Sequence, residues 1–567
     1  MIAIIAIAPA PALRAQTASQ ITPPTFAPPP AVRGAPIVIP EGSGAAAPAG
    51  AEALEVKLAA VAIEGAPVAG KAVDAAQAAL RAQLVGRSVK VSEIFAAARA
   101  LESAYARAGR VLVRVTVPPQ SLADGATLRL VVIDGFVERV DTAAVPARVR
   151  TRIAALLAPL VSRPGLTLSE IERQLLLASD VPGVSLRSTL AAGSTSGGSV
   201  LVIEAQHRPV TAFLTMDNTL PRTLGHYGYG VGLNFNSVLG LGETIYLRAS
   251  SLPNTGHDGM LDPTPRNRAL AAGAILPLPY DLTFNLEGTD ARTTPRRQLG
   301  APAFASRFQR LSGRLRYPAV RTRALTMALE ADLDVENERV RIVDPLVLPL
   351  SLDRLRVARL GSDISLALPG AGLLRTRATL SFGLDALGAR SASDATPDLP
   401  LSRQGADASF RKLEVSAELD QPLAPHLRID LRARAQSAFG DALANSEQLG
   451  IAALDAISPL SSGLLQGDAG YVARGEVQTP FGTQLNGGSL LISPYAFGAH
   501  GRVRFEQPTF LERRQTDATA YGVGARFAAS PGSILSNLGA TLEWGRAEVD
   551  GLPGHTHRLS FTFVVQF

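Results

Sequence analysis

From Val210 to Phe567 the sequence runs in strand-length segments of alternating apolar and polar residues, and the helical period is absent. HLRIDLRARAQ (426–436) shows the pattern best. Leu427, Ile429, Leu431, Ala433 and Ala435 share one face, and His426, Arg428, Asp430, Arg432 and Arg434 share the other. The closing stretch does the same, with Leu559, Phe561, Phe563, Val565 and Phe567 on the apolar face. In a soluble sandwich such a final strand would leave an edge open to aggregation. Beyond the N-terminus no apolar run reaches the ~20 residues of a membrane helix. Only helices and closed barrels satisfy their backbone groups in lipid, so the alternation predicts a transmembrane β-barrel over 208–567.

Sixteen segments fit into that span, each able to supply a membrane strand of ~9–11 residues. Their connections alternate in length. Those at 237–242, 277–281, 369–372 and 421–425 are short; those at 253–265, 292–303, 336–352, 388–405 and 439–468 are long and polar. Short turns of bacterial barrels lie in the periplasm and long loops outside, so an even strand count leaves both ends of the barrel periplasmic. A lipid-facing charge near mid-membrane costs ~2–4 kcal/mol. Arg375, Arg377, Arg428, Arg432 and Arg434 are therefore expected in the lumen. Glu414, Glu418 and Asp430 are only partial counter-charges there, giving either a basic wall that lines the path for an unfolded passenger or for anions, or a mutually neutralised structural ladder.

Ahead of the barrel the period changes. Residues 1–15, MIAIIAIAPAPALRA, suggest a signal peptide without a basic start, and 16–54 is a Pro-rich linker with eight prolines between 16 and 50. That proline density rules out a ~20-residue helix there. Residues 55–135 and 136–207 then repeat one order, strand–helix–helix–strand–strand, as two α/β modules. In the first, Ile94, Ala98, Leu101 and Tyr105 line one helix face, which stops at Gly109. In the second, Thr167 and Glu170 form a capping box ahead of Ile171, Leu175 and Ala178.

Other chemistry finds little support. The chain has no cysteine, and His555 and His557 lack a nearby third ligand. Neither a Gly-x-Ser-x-Gly elbow nor a Walker loop is present, so no enzyme activity, cofactor or metal is expected. The net charge of +6 comes from dispersed arginines without a nucleic-acid motif, so no nucleic-acid partner is expected.

The stretches VTVPPQSLADGATLRLVVIDGFVERV and LTLSEIERQLLLASDVPGVSL closely resemble the two POTRA modules of two-partner-secretion transporters, the outer-membrane haemolysin/haemagglutinin activation–secretion family. At the start of the barrel, Asp217-Asn218, Thr223, Gly225 and Gly240/Gly242 fall on elements of that family, with Glu243 where it has an Asp. Gly467-Asp468-Ala469-Gly470-Tyr471-x-x-Arg474-x-Glu476 resembles the exit of the family's sixth loop, here 439–468. The resemblance implies two POTRA modules in the periplasm and a 16-stranded antiparallel barrel in the outer membrane of a Gram-negative bacterium. It implies translocation of an exoprotein that carries an N-terminal secretion domain. Passenger-binding candidates are Pro119, Gln120, Gly125, Glu172, Arg173, Asp180, Pro182 and Gly183, although each also suits a turn or packing role. Outer-membrane lipid and the barrel-assembly machinery, reading Phe567, are further expected partners of a monomeric protein. An assembly factor and a passive anion-selective channel are the alternative readings.

In the family an arginine at the loop tip grips an acidic residue in a Phe-x-Asp-x-Gly wall strand. This chain departs at both ends. LGIAALDAISPLSSGLLQGD (449–468) has no arginine, and the wall reads Phe497-Gly498-Ala499-His500-Gly501. An inserted loop would then depend on Asp455 or on the apolar tip Ile457–Leu460, or its lock would be weaker. The resemblance also implies a plug helix, which the proline-rich linker makes absent or extended.

Overall fold

The structure, a computed structural model, describes residues 16–22, 37–38, 47–251, 258–297, 302–485, 488–510, 512–530 and 537–567. The expected signal peptide and parts of the linker and of loops 253–265 and 292–303 lie outside these residues.

The first module buries Val73, Leu80 and Leu84 of helix Lys71–Leu84 and Ile94, Ala98, Leu101 and Tyr105 of helix Val91–Arg107 against a sheet of Ala60–Glu64, Thr127–Ile133 and Arg114–Thr116. Gly109, at φ +84°, ends the second helix where a left-handed residue is needed. The second module repeats this with strand Phe136–Asp141, helices Ala147–Leu157 and Leu168–Ser179, and strands Val184–Ala192 and Gly198–His207. Thr167 caps the latter helix: its hydroxyl accepts from the Glu170 N–H, and the Glu170 carboxylate accepts from the Thr167 N–H at 2.9 Å. Residues Ile37–Val38 of the linker add a parallel strand to the outer edge of Val184–Ala192.

The barrel closes in strand order from Val210–Asp217 to Thr556–Gln566. Ala469–Gln478 and Phe481–Leu485 both pair with Gly488–Arg504 and form one interrupted strand, so the described wall has sixteen. At the seam, Phe213 opposes Gln566 and Asp217 opposes Thr562. Asn218 reinforces it, donating to the Leu559 carbonyl at 2.8 Å and accepting from the Phe561 N–H at 3.0 Å. Phe567 itself is 37% exposed and donates its N–H to the Ala212 carbonyl at 2.9 Å.

Strand Leu427–Ser437 keeps the expected register, with Leu427 and Leu431 outward and Asp430 and Gln436 buried inward. One loop expectation is corrected. The span 336–352 is not a long loop: strands Leu325–Asp344 and Leu348–Leu368 run through it as a tall hairpin. The polar residues read as loop are the two faces of strands that project beyond the membrane, one to the lumen and one outward.

Candidate functional site

The lumen is where the side-chain chemistry concentrates. Strand Leu325–Asp344 points Glu330, Asp332, Asp334, Glu336 and Glu338 inward at every second residue. Arginines on neighbouring strands answer them. Arg377 pairs with Glu330 at 2.5 Å and Asp363 at 3.0 Å, and Arg316 contacts the same two carboxylates. Arg359 reaches Asp334 at 2.7 Å, Glu336 at 3.3 Å and the loop's Glu447 at 2.6 Å, where Lys412 joins at 2.7 Å. Arg375 meets Glu418 at 2.9 Å, Arg428 meets Asp420 at 3.2 Å, and Arg432 lies 3.0 Å from Asp430. Arg434 donates to the Gly450 carbonyl at 3.2 Å. The expectation of a basic wall is therefore corrected. The acidic row in ALEADLDVENERV was visible in the sequence, but assigning its second half to a loop hid it.

Residues 439–468 fold back into this lumen. Ala456, Ile457 and Leu460 are buried against Tyr495, Phe497, Ala499, Ala518, Ala520 and Ala547 of the wall. Phe497 thus supplies apolar contact, and Gly501 leaves room for Ile451, whose Cδ1 would lie 3.1 Å from a Cβ there. Asp455 takes no part in holding the loop. It is exposed and lines a cavity of about 650 Å³ with Arg375, Arg377, Arg432 and Arg434.

What grips the tip is Arg474 of the wall, which is fully buried and aims its guanidinium at the Ser458 hydroxyl (3.0 Å) and the Ala456 carbonyl (3.4 Å). Its charge is met by Glu476 at 2.8 Å and by Glu543, and its guanidinium carbon sits 3.8 Å from the Phe497 ring centre. Arg526 chelates Glu476 from the other side, and the Tyr495 hydroxyl donates to Glu543 at 2.6 Å. At the tip the cation is on the barrel and the loop offers neutral acceptors, the reverse of the family pattern, and beside it the apolar tip Ile457–Leu460 holds the loop as one of the two expectations had it. The ion pairs of Arg474 lie within the wall and stay matched when the tip leaves, whereas Glu447 would take its charge away from Arg359 and Lys412.

Asp468 fixes the loop's exit. Fully buried, it accepts from Arg403 of the preceding outer loop, from the Leu443 and Glu506 N–H groups at 3.2 and 2.9 Å, and from Gln448 at 3.2 Å. Gly467 and Gly470 are forced by close approach, since a Cβ would lie 2.9 Å from Arg504 backbone atoms and 2.1 Å from the Arg502 carbonyl. Tyr471 faces outward.

A second occupant of the lumen comes from the linker. Residues 16–22, with a four-residue helix Ala18–Ile21, lie between wall and loop. The Ala18 N–H donates to Ser306, both the N–H and hydroxyl of Ser19 donate to Glu338 (3.0 and 2.6 Å), and Gln16 donates to the loop's Ser462 carbonyl at 3.0 Å. The tether expected from 16 onward therefore begins as a short plug inside the barrel, and its described part is a single helical turn ahead of the first proline, Pro23, rather than the extended segment expected.

At the opposite mouth, helix Leu168–Ser179 sits on the short turns. Asp180 chelates Arg321 through two 2.8 Å bonds, Glu172 pairs with Arg323 at 3.1 Å, and Arg173 reaches Asp281 at 2.8 Å and the Pro318 carbonyl at 3.2 Å. Glu172, Arg173 and Asp180, predicted to bind passenger, are engaged in clasping the module to the barrel. Gly183, at φ +72°, is packed where a Cβ would lie 2.3 Å from the Arg208 carbonyl, and Pro182 precedes it in the same turn. Gln120 exchanges two hydrogen bonds with the Arg129 backbone, at 2.8 and 2.9 Å, and so occupies a strand edge itself. Pro119 and Gly125 are exposed in the loop around it. Glu243, standing for the expected Asp, receives the Leu239 and Leu241 N–H groups at 2.6 and 3.0 Å and shapes the turn beneath Arg152.

Similarity to known proteins agrees with this architecture. Residues 58–135 match the POTRA domain of ShlB type. The structure is similar to CdiB from Escherichia coli (TM-score 0.67, 20% identity, covering 93% of this chain and 92% of that one) and to CdiB from Acinetobacter baumannii (TM-score 0.58, 16% identity, 97% and 94%). In sequence it is 24% identical over 165 residues to the heme/hemopexin transporter protein HuxB of Haemophilus influenzae (strain 86-028NP), a match spanning 29% of each chain. Residues 197–527, more than half the chain, match the family described as haemolysin secretion/activation protein ShlB/FhaC/HecB, and the chain belongs to that family.

Proposed function

We propose that this protein translocates a large secreted exoprotein across the outer membrane by two-partner secretion. The observation that carries the reading is the removable filling of the barrel. Loop 439–468 and residues 16–22 occupy the lumen through apolar contact, hydrogen bonds and a few ion pairs, chiefly Glu447 with Arg359 and Lys412, while most of the wall's other charges pair with one another. An unfolded chain passing such a wall meets a polar surface whose charges are already paired. Both POTRA modules stand at the periplasmic mouth. The edge of Val184–Ala192 carries residues 37–38 of the chain itself, which leaves the first module as the place for an extended passenger segment to add to a sheet. Energy for export would come from passenger folding outside.

The assembly-factor reading predicts instead that other barrels fail to insert when the chain is removed. The test is co-expression with a candidate exoprotein that has an N-terminal secretion domain. Surface release should require residues 56–207, and release that survives their deletion would refute passenger capture by the modules. Phe567 would act earlier, as the C-terminal aromatic read by the barrel-assembly machinery. Its removal should lower outer-membrane levels before it changes transport per molecule.

A further inference from the structure

The tall hairpin also helps to form a groove outside the lumen. On the outer face of this hairpin and of the two strands before it, Thr283–Thr293 and Ala303–Arg321, Arg292, Arg307, Arg339, Arg341, Arg354 and Arg356 line a groove of about 600 Å³ above the lipid-facing leucines, without a carboxylate among its lining residues. Arg292 opposes Arg307, and Arg307 opposes Arg339, so three like charges stand at one register across three adjacent strands. Like charges directly opposite each other destabilise a sheet unless something neutralises them. Asp290 serves Arg292 at 3.1 Å and Arg307 at 2.7 Å. Arg356 spends its guanidinium on backbone carbonyls, among them Leu355 at 2.7 Å and Leu387 at 3.0 Å. Arg339, Arg341 and Arg354 are exposed and pair with no carboxylate among the described residues.

Height on the barrel identifies the anion. Tyr317 opposes Leu329 near the periplasmic end of these strands, and Leu311, Leu315, Leu329 and Leu333 are exposed on the lipid side. From Tyr317 to Arg307 is ten residues, or ~33 Å along the strand and ~25 Å of height at a tilt of ~40°, which matches the apolar band of an outer-membrane barrel. The arginine row therefore stands where the outer leaflet's polar groups begin, on the side facing lipid rather than the pore. Arginine's planar fork suits phosphate.

We infer that this groove binds the phosphate groups of a phosphorylated glycolipid of the outer leaflet and anchors the extracellular part of the hairpin to the membrane surface. The full chain, purified in detergent, is titrated with bis-phosphorylated lipid A in mixed micelles and with the same lipid stripped of phosphate. Phosphorylated lipid A should bind at least ten-fold more tightly than the stripped lipid. R339Q/R341Q/R354Q should lose that preference, while R339K/R341K/R354K keeps most of it; heat-modifiable migration on gels confirms that each barrel is folded. Equal affinity of the glutamine variant and the parent would overturn the proposal. So would full displacement by millimolar inorganic phosphate, which would point to a soluble anion. Unchanged lipid affinity together with lost exoprotein release would assign the patch to the passenger instead.

Discussion

Replacing Arg474 separates the latch on the loop from the stability of the wall. R474M removes a buried cation and leaves Glu543 with only the Tyr495 hydroxyl, whereas Glu476 keeps Arg526. An uncompensated buried charge costs the barrel about 3–5 kcal/mol. R474M/E543Q removes both charges and should recover most of that loss. Both variants lose the same grip on the loop, the 3.0 Å bond to Ser458 and the longer one to Ala456. Bonds of this kind contribute about 1.5–3 kcal/mol when well formed, so the pair together supplies about 2–3 kcal/mol. Burial of Ile457 and Leu460 remains, at about 1.5–3 kcal/mol each, and keeps the loop mostly inside. The shift should therefore raise the open fraction about 30–150-fold without opening the pore fully. In planar bilayers the occupancy of the high-conductance state should rise by that factor in both variants, with deletion of 439–468 setting the ceiling. Only R474M should also melt earlier. An open fraction for R474M/E543Q within two-fold of the parent would refute the assignment of Arg474 as the latch.

Three further outcomes follow from the geometry. D180A removes the two-bond ion pair to Arg321, whose side chain is 2% exposed, and should weaken docking of the second module by about 2–3 kcal/mol, read as faster proteolysis at the 207–210 junction. If protection is unchanged, the clasp is not what seats the module. E338Q leaves the Ser19 N–H and hydroxyl with a neutral acceptor, so residues 16–22 should leave the lumen more often, raising cross-linking of Gln16 substituents to periplasmic reagents at least several-fold. Glu138 is held at a pKa of about 2, chiefly by the Ser194 hydroxyl and then by the Thr195 N–H and hydroxyl. A folded-state value below the usual 4.5 means that its hold on the 193–198 turn is present above pH ~4.5 and lost as pH falls toward 2. Amide exchange of Ser194 and Thr195 should accelerate over that window in the parent and be pH-independent there, after correction for intrinsic rates, in E138Q.

The modules and the barrel could be anticipated from residues, but part of the site could not. The helix faces of the modules were legible because Ile94, Ala98, Leu101 and Tyr105 obey a local period, and burial follows the period. The clasp was not legible. Glu172, Arg173 and Asp180 lie on a helix whose partners, Arg323, Asp281 and Arg321, are 100 or more residues away, and nothing local distinguishes a residue kept for the barrel from one offered to a passenger.

By itself the sequence determined the barrel and the register of strands such as Leu427–Ser437, while the entry of loop 439–468 was an expectation from the family resemblance alone. Alternation with period two leaves a strand one wet face, and a charge on the lipid side is too costly to be misplaced. Only the tertiary structure decided what the charges do. Whether the arginine of one strand meets a carboxylate, a loop carbonyl or open lipid headgroup space depends on stagger between strands. Stagger is set by closure of the whole barrel, including the pairing of Phe213 with Gln566 at the seam. The same closure set Arg474 opposite Ser458, and it left Arg339, Arg341 and Arg354 facing outward.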